Sequence, residues 1–341
     1  MGAAHGRAYH DLPGFDLCGV VTRGESGERL SAELGVDHYR DFTEALAATA
    51  PDAVGIASFT ETHVPFALAA LDAGCHVFVE KPVAANLAEA EELVAKARSQ
   101  NAVLVAGYIL RHHPSWRLFI ERARTLGKPL VMRMNLNQQS HGSEWVTHKA
   151  IMASTSPLVD CGVHYVDVMS QMTGSTPVRV HAVAARLTEE LEPGMYNYGH
   201  LQVEYDDGSV GWYESGWGPM MSETAFFVKD VIGPQGAVSI ESGFEGGDAD
   251  SSDVDIHTAT NAIRHHHADL DGEGRLAKTD EIIQSGDEPG HDELCRLEQE
   301  WFLDAIKGNV DVDRHLDEVL DSMRIVFAAD ESIRTGGTVE L

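Results

Sequence analysis

The stretch Gly74-Cys75-His76-Val77-Phe78-Val79-Glu80-Lys81-Pro82 decides the reading of this chain. His76 to Val79 spell a short buried strand, and Gly74 before them closes the helical run Pro65–Ala73. Pro82 has no N–H to offer a neighbouring strand, so pairing stops there. Glu80 and Lys81 therefore stand at the carboxyl end of a strand with helical segments on both sides in sequence. In open α/β sheets that end is where ligands bind. A lysine fixed there beside a carboxylate can hydrogen-bond a substrate hydroxyl and exchange a proton with it. Taken bare, a lysine at a strand end is more often a solvated charge.

Outward from this stretch, strand and helix signals alternate from the start to residue 127, which means a parallel sheet. Phe15–Val21, Ala53–Ile56 and Val103–Gly107 read as further strands. Ser26–Leu34, Phe42–Thr49 capped by Asp41, Leu87–Ser99 capped by Asn86, and a run opened by Pro114 read as helices. The pattern changes at Lys128. Leu130–Leu136, Val178–Leu187, Tyr198–Tyr205, Gly208–Trp217, Thr224–Gly233 and Ala237–Ser242 read as strands of a largely antiparallel sheet, with Asp160–Met172 as a helix among them. One sheet face would cover helices. The other, carrying Trp212, Tyr213 and Trp217, is expected to bury against a second subunit, giving a homodimer or homotetramer. Gly243–Asp255 and Ala268–Glu288 are acidic excursions, and His265-His266-His267 between them looks like a loop run, not a ligand set. Helices Asp292–Lys307 and Leu316–Arg334 close the chain.

The chain's 341 residues suit two domains. Fifty-four acidic residues against 25 basic ones give a net charge of -29, a field that repels nucleic acid and anionic membranes. Surface adaptation to high salt and an ordinary acidic enzyme are equal readings of that excess. No apolar run reaches the ~18 residues of a membrane span, and the start lacks the roughly 7–15-residue apolar core of a secretory signal. The cytoplasm is the expected compartment. Cys18, Cys75, Cys161 and Cys295 have neither zinc-knuckle nor disulfide spacing and read as small buried hydrophobes. His112 and His113, with His63 or His164, invite a metal reading, but no tight ligand spacing supports it and no metal is expected.

Ser58-Phe59-Thr60-Glu61-Thr62-His63, Ala67-Leu68-Ala69-Ala70-Leu71, Gly74 and Glu80-Lys81-Pro82 together resemble the glucose–fructose oxidoreductase / inositol dehydrogenase (Gfo/Idh/MocA) family. Asp160-Cys161-Gly162-Val163-His164-Tyr165-Val166-Asp167 matches that family's D-x-G-x-H-x-x-D pattern, and the closing segment from Phe302 to Gly336 is similar too. The resemblance implies an α/β fold: a Rossmann-type doubly wound parallel sheet over residues 1–127, then an α+β domain over 128–341 with a large, mostly antiparallel open-faced sheet. The last helices would pack back on the first domain. It implies an NAD(P)-dependent oxidoreductase acting on a sugar, polyol or related carbohydrate. An NAD-dependent glycosidase of the same family and a non-catalytic binding relative are the alternatives.

The departure is at the front. Met1-Gly2-Ala3-Ala4-His5 looks like the end of a G-x-G-x-x-G turn, with Gly2 matching the third glycine, and the first strand and two glycines are absent. A late start or truncated record is the expected reason; loss of dinucleotide binding is the alternative.

The resemblance implies cofactor-binding residues Gly2, Ser58, Phe59, Thr60, His63, Glu80, Lys81 and Arg111, the last near the nicotinamide end. After Val21 come Thr22 and Arg23, where an NAD enzyme carries an acid for the ribose; a hydroxyl and a guanidinium suit the 2′-phosphate of NADP, so NADP is favoured over NAD. In the segment Asn137–Lys149, Trp145 offers an apolar face to a sugar ring. Asp160, His164 and Asp167 fall at i, i+4 and i+7 on one helix face. Lys81, Asp160 and His164 form the expected catalytic set around one hydroxyl, with His112 and Trp145 as further substrate contacts.

Overall fold

The computed structural model describes residues 1–222, 228–241, 257–286 and 288–341. They form two compact units: Met1–His112 with Pro289–Leu320, and His113–Glu288 with Asp321–Leu341. The helix opened by Pro114, placed before the boundary at 127 by sequence, thus groups with the second unit, and Pro289–Leu320 returns to the first.

In the first unit, short parallel strands alternate with helices: α1 (Gly2–Asp11), β1 (Gly19–Val21), α2 (Glu25–Leu34), β2 (Asp37–Tyr39), α3 (Phe42–Thr49), β3 (Ala53–Ile56), α4 (Thr60–Asp72), β4 (His76–Val79), α5 (Leu87–Ser99) and β5 (Leu104–Ala106). They make two sheets, β1-β2 and β3-β4-β5, with every pair parallel. The caps fall where the sequence put them: Asp41 accepts from Glu44 N at 2.9 Å and Asn86 from Glu89 N at 3.0 Å, each contributing about 1 kcal/mol. Gly74, at φ 85°, takes the left-handed turn between α4 and β4. Helix α4 starts five residues earlier than the Pro65 signal suggested, with Pro65 inside it. Of the strand expected at Phe15–Val21, Gly19–Val21 forms β1, and Phe15 makes only an isolated bridge with Pro13. Phe78 of β4, fully buried, packs with Val105 and with Phe302 of α10 (His291–Ile306), a burial of roughly 1.5–3 kcal/mol for the phenylalanine alone.

The second unit holds α6 (Pro114–Ala123), β6 (Val131–Gln139), α7 (Gly142–Ile151), α8 (Pro157–Asp160), α9 (Gly162–Thr173), β7 (Pro177–Ala185), β8 (Tyr198–Tyr205), β9 (Val210–Gly218), β10 (Lys229–Gly233), β11 (Gly236–Glu241), β12 (Ala262–His267), β13 (Glu281–Gln284) and β14 (Val339–Glu340). Helix α11 (Asp313–Thr335) begins in the first unit and ends in the second. The nine strands form one sheet in the order β13-β12-β11-β10-β6-β9-β8-β7-β14, antiparallel except for β6 with β9. Burial along β9 alternates: Gly211, Tyr213, Ser215 and Trp217 are covered within the chain, while Trp212 is half-buried on the other face. The period of two therefore corrects the expectation that Tyr213 and Trp217 share an open face with Trp212.

The expected excursion Gly243–Asp255, residues 224–227 of one expected strand and Ser242 of another lie outside the described residues. The expected loop His265–His267 is instead the end of β12, paired with β11 and β13. Of the four cysteines only Cys75 and Cys295 are buried; Cys18 is exposed. Among the described residues no helix is long and apolar enough to cross a membrane.

Candidate active site

The first unit carries its candidate residues at the end of β4. Backbone bonds from Glu80 N to Ile56 O (2.8 Å) and from Gly107 N to Val79 O (2.9 Å) carry the sheet pairing to its last residue. The Glu80 side chain, 5% exposed, then turns inward. His5 Nε2 donates to Glu80 Oε1 at 2.6 Å, the Gln299 side-chain amide lies 2.9 Å from His5 Nδ1, and Lys81 N donates to Glu80 Oε2 at 3.1 Å. Burial pushes the Glu80 carboxyl up; the His5 hydrogen bond and charge, with Lys81, more than offset this and hold it below its ordinary value. Glu80 is thus an anchor for the backbone that presents Lys81. His63, 1% exposed, acts similarly: its Nδ1 lies 2.8 Å from Pro82 O and its Nε2 3.0 Å from Ser58 O. Both residues, expected as cofactor contacts, spend their side chains inside the unit: Glu80 on His5 of α1 and the Lys81 amide, His63 on joining the turn after β3 to the turn after β4.

The other expected cofactor residues also belong to the first unit. The first turn of α1 comes beside the end of β3, where a Cβ on Gly2 would lie 3.8 Å from Ala57 Cβ and Ala57 O. Ser58 is exposed and its Oγ meets Thr62 Oγ1 at 2.6 Å. Phe59 is 69% exposed at the N-cap of α4, and Thr60 opens that helix. After β1, Gly24 N donates to Thr22 Oγ1 at 3.3 Å, and Arg23 is exposed. These residues fit a dinucleotide: a helix start for a pyrophosphate, an uncovered aromatic at a strand end, and a guanidinium at the next βα turn. Arg111 is engaged otherwise. Its Nη2 lies 2.8 Å from Glu318 Oε2, with both side chains less than a fifth exposed, and its guanidinium stands 5.8 Å from the centre of the Tyr108 ring. His112 packs against Trp301 at 5.8 Å between ring centres.

The second unit carries its own candidate residues at the break between two helices. Ser156 Oγ accepts from Val159 N at 3.1 Å and caps α8, whose last residue is Asp160; α9 restarts after Cys161 and carries His164 in its first turn. The single helix expected from Asp160 is therefore two. Asp160 and His164 are half-buried, whereas Asp167 is 1% exposed and accepts from Gln171 Nε2 at 2.8 Å. Asp167 is thus the most deeply buried of the three. Beside His164 in sequence, Tyr165 stacks on Tyr213 at 4.9 Å, and Lys229 Nζ lies 5.1 Å from the centre of the Tyr165 ring while donating to Asn135 O. Burial pulls Lys229 down to about 7. Sequence reading passed over Lys229. Its signal was a charge in an apolar strand of a chain with only seven lysines.

Trp145 is corrected. It is 6% exposed and packs with Met152, Leu191 and Trp217, while its Nε1 reaches both Glu190 carboxylate oxygens at 3.3 Å. An indole enclosed in this way offers no face to a sugar ring.

Two family models match this chain: residues 1–108 match an oxidoreductase family with an NAD-binding Rossmann fold, and residues 120–237 match the GFO/IDH/MocA C-terminal domain. The scyllo-inositol 2-dehydrogenase (NAD(+)) of Bacillus subtilis is 25% identical over 97% of this chain and 90% of its own length. An NAD-binding oxidoreductase from Klebsiella pneumoniae has the same fold, with a TM-score of 0.78 and 21% identity over 100% of this chain and 96% of that one. The scyllo-inositol dehydrogenase of Lactobacillus casei, solved with NAD(H) and scyllo-inositol, superposes with a TM-score of 0.76 at 19% identity over 99% and 95% of the two chains. The two matches together cover more than half of the chain, which therefore belongs to the GFO/IDH/MocA oxidoreductase family.

Proposed function

We propose that this protein oxidises a secondary hydroxyl of a sugar or polyol, or reduces the matching ketone, in the cytoplasm and as a homo-oligomer, with NADP favoured over NAD. The observation that carries the reading is the end of β4, where a buried, His5-bonded Glu80 fixes the backbone of Lys81. Gly2, Thr22, Arg23, Ser58, Phe59 and Thr60 would hold the dinucleotide. When bound, its nicotinamide supplies the hydride acceptor or donor. The protein's own residues handle the proton. Lys81 donates a hydrogen bond to the substrate hydroxyl or takes its proton, and His164, a group that titrates near neutrality when unperturbed, serves as the partner in that transfer. Asp160 orients His164 or binds a neighbouring hydroxyl. Arg111 shapes the edge of the site through its pairing with Glu318.

Steady reduction of NADP+ or NAD+ with a panel of inositols, pentoses and hexoses tests the reading. Lys81→Ala should lower turnover by at least ~10²-fold, the lower range for a positioned acid–base group, and change cofactor affinity far less. Lys81→Arg should not restore it, because a guanidinium keeps its proton and has another shape. A Lys81→Ala protein turning over like the parent would sink the assignment.

A further inference from the structure

Two groups of side chains among the described residues bring three metal-ligand atoms within 4.8 Å of one another: His5, Cys295 and Glu298, and His265, His267 and Glu281. The first is already committed. Both ring nitrogens of His5 are taken, one by Glu80 and the other by Gln299. The second is differently placed. His265 and His267 are two apart on β12, so they share a face, and Glu281 lies directly across from His265 on β13. Their rings stand 4.3 Å apart between centres. His265 is 6% exposed and its Nδ1, buried, has no hydrogen-bond partner. His267 and Glu281 are open enough to rotate. The intervening His266 points the other way, to Asp280 at 2.8 Å.

We propose that His265, His267 and Glu281 bind one divalent transition-metal ion of the zinc class, through two imidazole nitrogens and one carboxylate oxygen, with water completing the shell. Two nitrogens and one oxygen are a donor set zinc accepts readily, at ~2.0–2.2 Å from each atom. A modest closing of the two outer side chains supplies that geometry. Burial and the neighbouring His267, Arg122 and Lys278 push His265 toward its neutral, ligating form. The ion must displace Arg122, whose Nη2 now lies 3.6 Å from Glu281 Oε1. What it gains is a clip between β12 and β13, one of the two edge strands of the nine-stranded sheet.

The test uses full-length protein carrying no affinity tag. Equilibrium dialysis against micromolar Zn2+ should retain one ion per chain. His267→Ala and Glu281→Gln should each weaken binding at least ~10-fold, since even outer-shell partners of a metal matter by 10–100-fold. Both sites are at the surface, so the variants should fold, as circular dichroism will verify. The Co2+-loaded protein should show visible d–d bands without a thiolate charge-transfer band, and Cys295→Ser should leave binding unchanged. No retained Zn2+, binding unaltered in the His267→Ala/Glu281→Gln double variant, or a thiolate band would each overturn the proposal.

Discussion

The His5–Glu80 contact invites removal of one partner. In His5→Ala, Glu80 keeps its burial and loses its 2.6 Å hydrogen bond and the charge partner that offset desolvation. Breaking a buried pair from one side is destabilising by roughly 3–5 kcal/mol. At ~2–4 °C per kcal/mol for a unit of this size, melting should fall by about 6–20 °C at neutral pH. The sign with pH follows from the direction of the shift. In the parent, Glu80 is depressed, so its contribution is present above the ordinary carboxylate range and fades as pH falls through its folded value. In the variant the Lys81 charge and amide remain, but desolvation is the larger effect and raises Glu80, so acid protonates it and relieves the penalty. The gap between parent and variant should narrow from pH 7 to pH 5. Adding Glu80→Gln to His5→Ala should recover part of the loss, because the uncompensated charge is gone. Differential scanning fluorimetry of the three proteins across pH reads all of this. The account fails if His5→Ala melts within a degree or two of the parent, or if Glu80→Gln deepens the loss.

Three other outcomes are expected. Glu298 is raised by burial and by Glu80, and neither carboxylate oxygen has a hydrogen-bond partner, so Glu298→Gln should raise the melting point more at pH 8 than at pH 5; a loss at both pH values refutes it. Trp145→Ala should destabilise by roughly 3–5 kcal/mol as a cavity between Met152, Leu191 and Trp217, while substrate KM in the folded fraction stays near the parent value; a large KM rise without instability refutes the corrected role. Arg23→Ala should weaken NADP by several-fold to about a hundredfold, on the ~1–3 kcal/mol of a charge-assisted hydrogen bond, and leave NAD nearly unchanged, as fluorescence titration will read; equal losses refute the preference.

What was legible in the sequence was whatever local chemistry dictates. Ala53–Ile56 and His76–Val79 form strands with those bounds, because apolar runs closed by turn residues leave little choice. Asp41 and Asn86 cap because their side chains reach the N3 amide of the helix they precede. What was not legible depended on distant partners. Trp145 stands in a polar segment and looks available until Leu191 and Trp217 close over it. Three consecutive histidines have no period of their own; only pairing with Val238 and Glu281 shows that alternate rings share a face. Lys229 shows in sequence only as a charge within an apolar strand, and its depressed basicity comes from the burial that the sheet and Tyr165 impose. The start of α4 was missed since Pro65 reads as an opening signal, although here it lies within the helix.

The packing of α2 on the turn after β1 limits how this protein can evolve. A Cβ on Gly27 would fall 1.6 Å from Thr22 Cγ2, so the threonine methyl occupies the place a side chain on the helix would need. Gly27 and Thr22 are therefore one steric unit, and neither can enlarge alone. Position 23 is exposed and free of that lock. On the role proposed for Arg23, a change of nucleotide preference has a one-step route through residue 23, whereas a side chain added at residue 27 requires Thr22 to give way first.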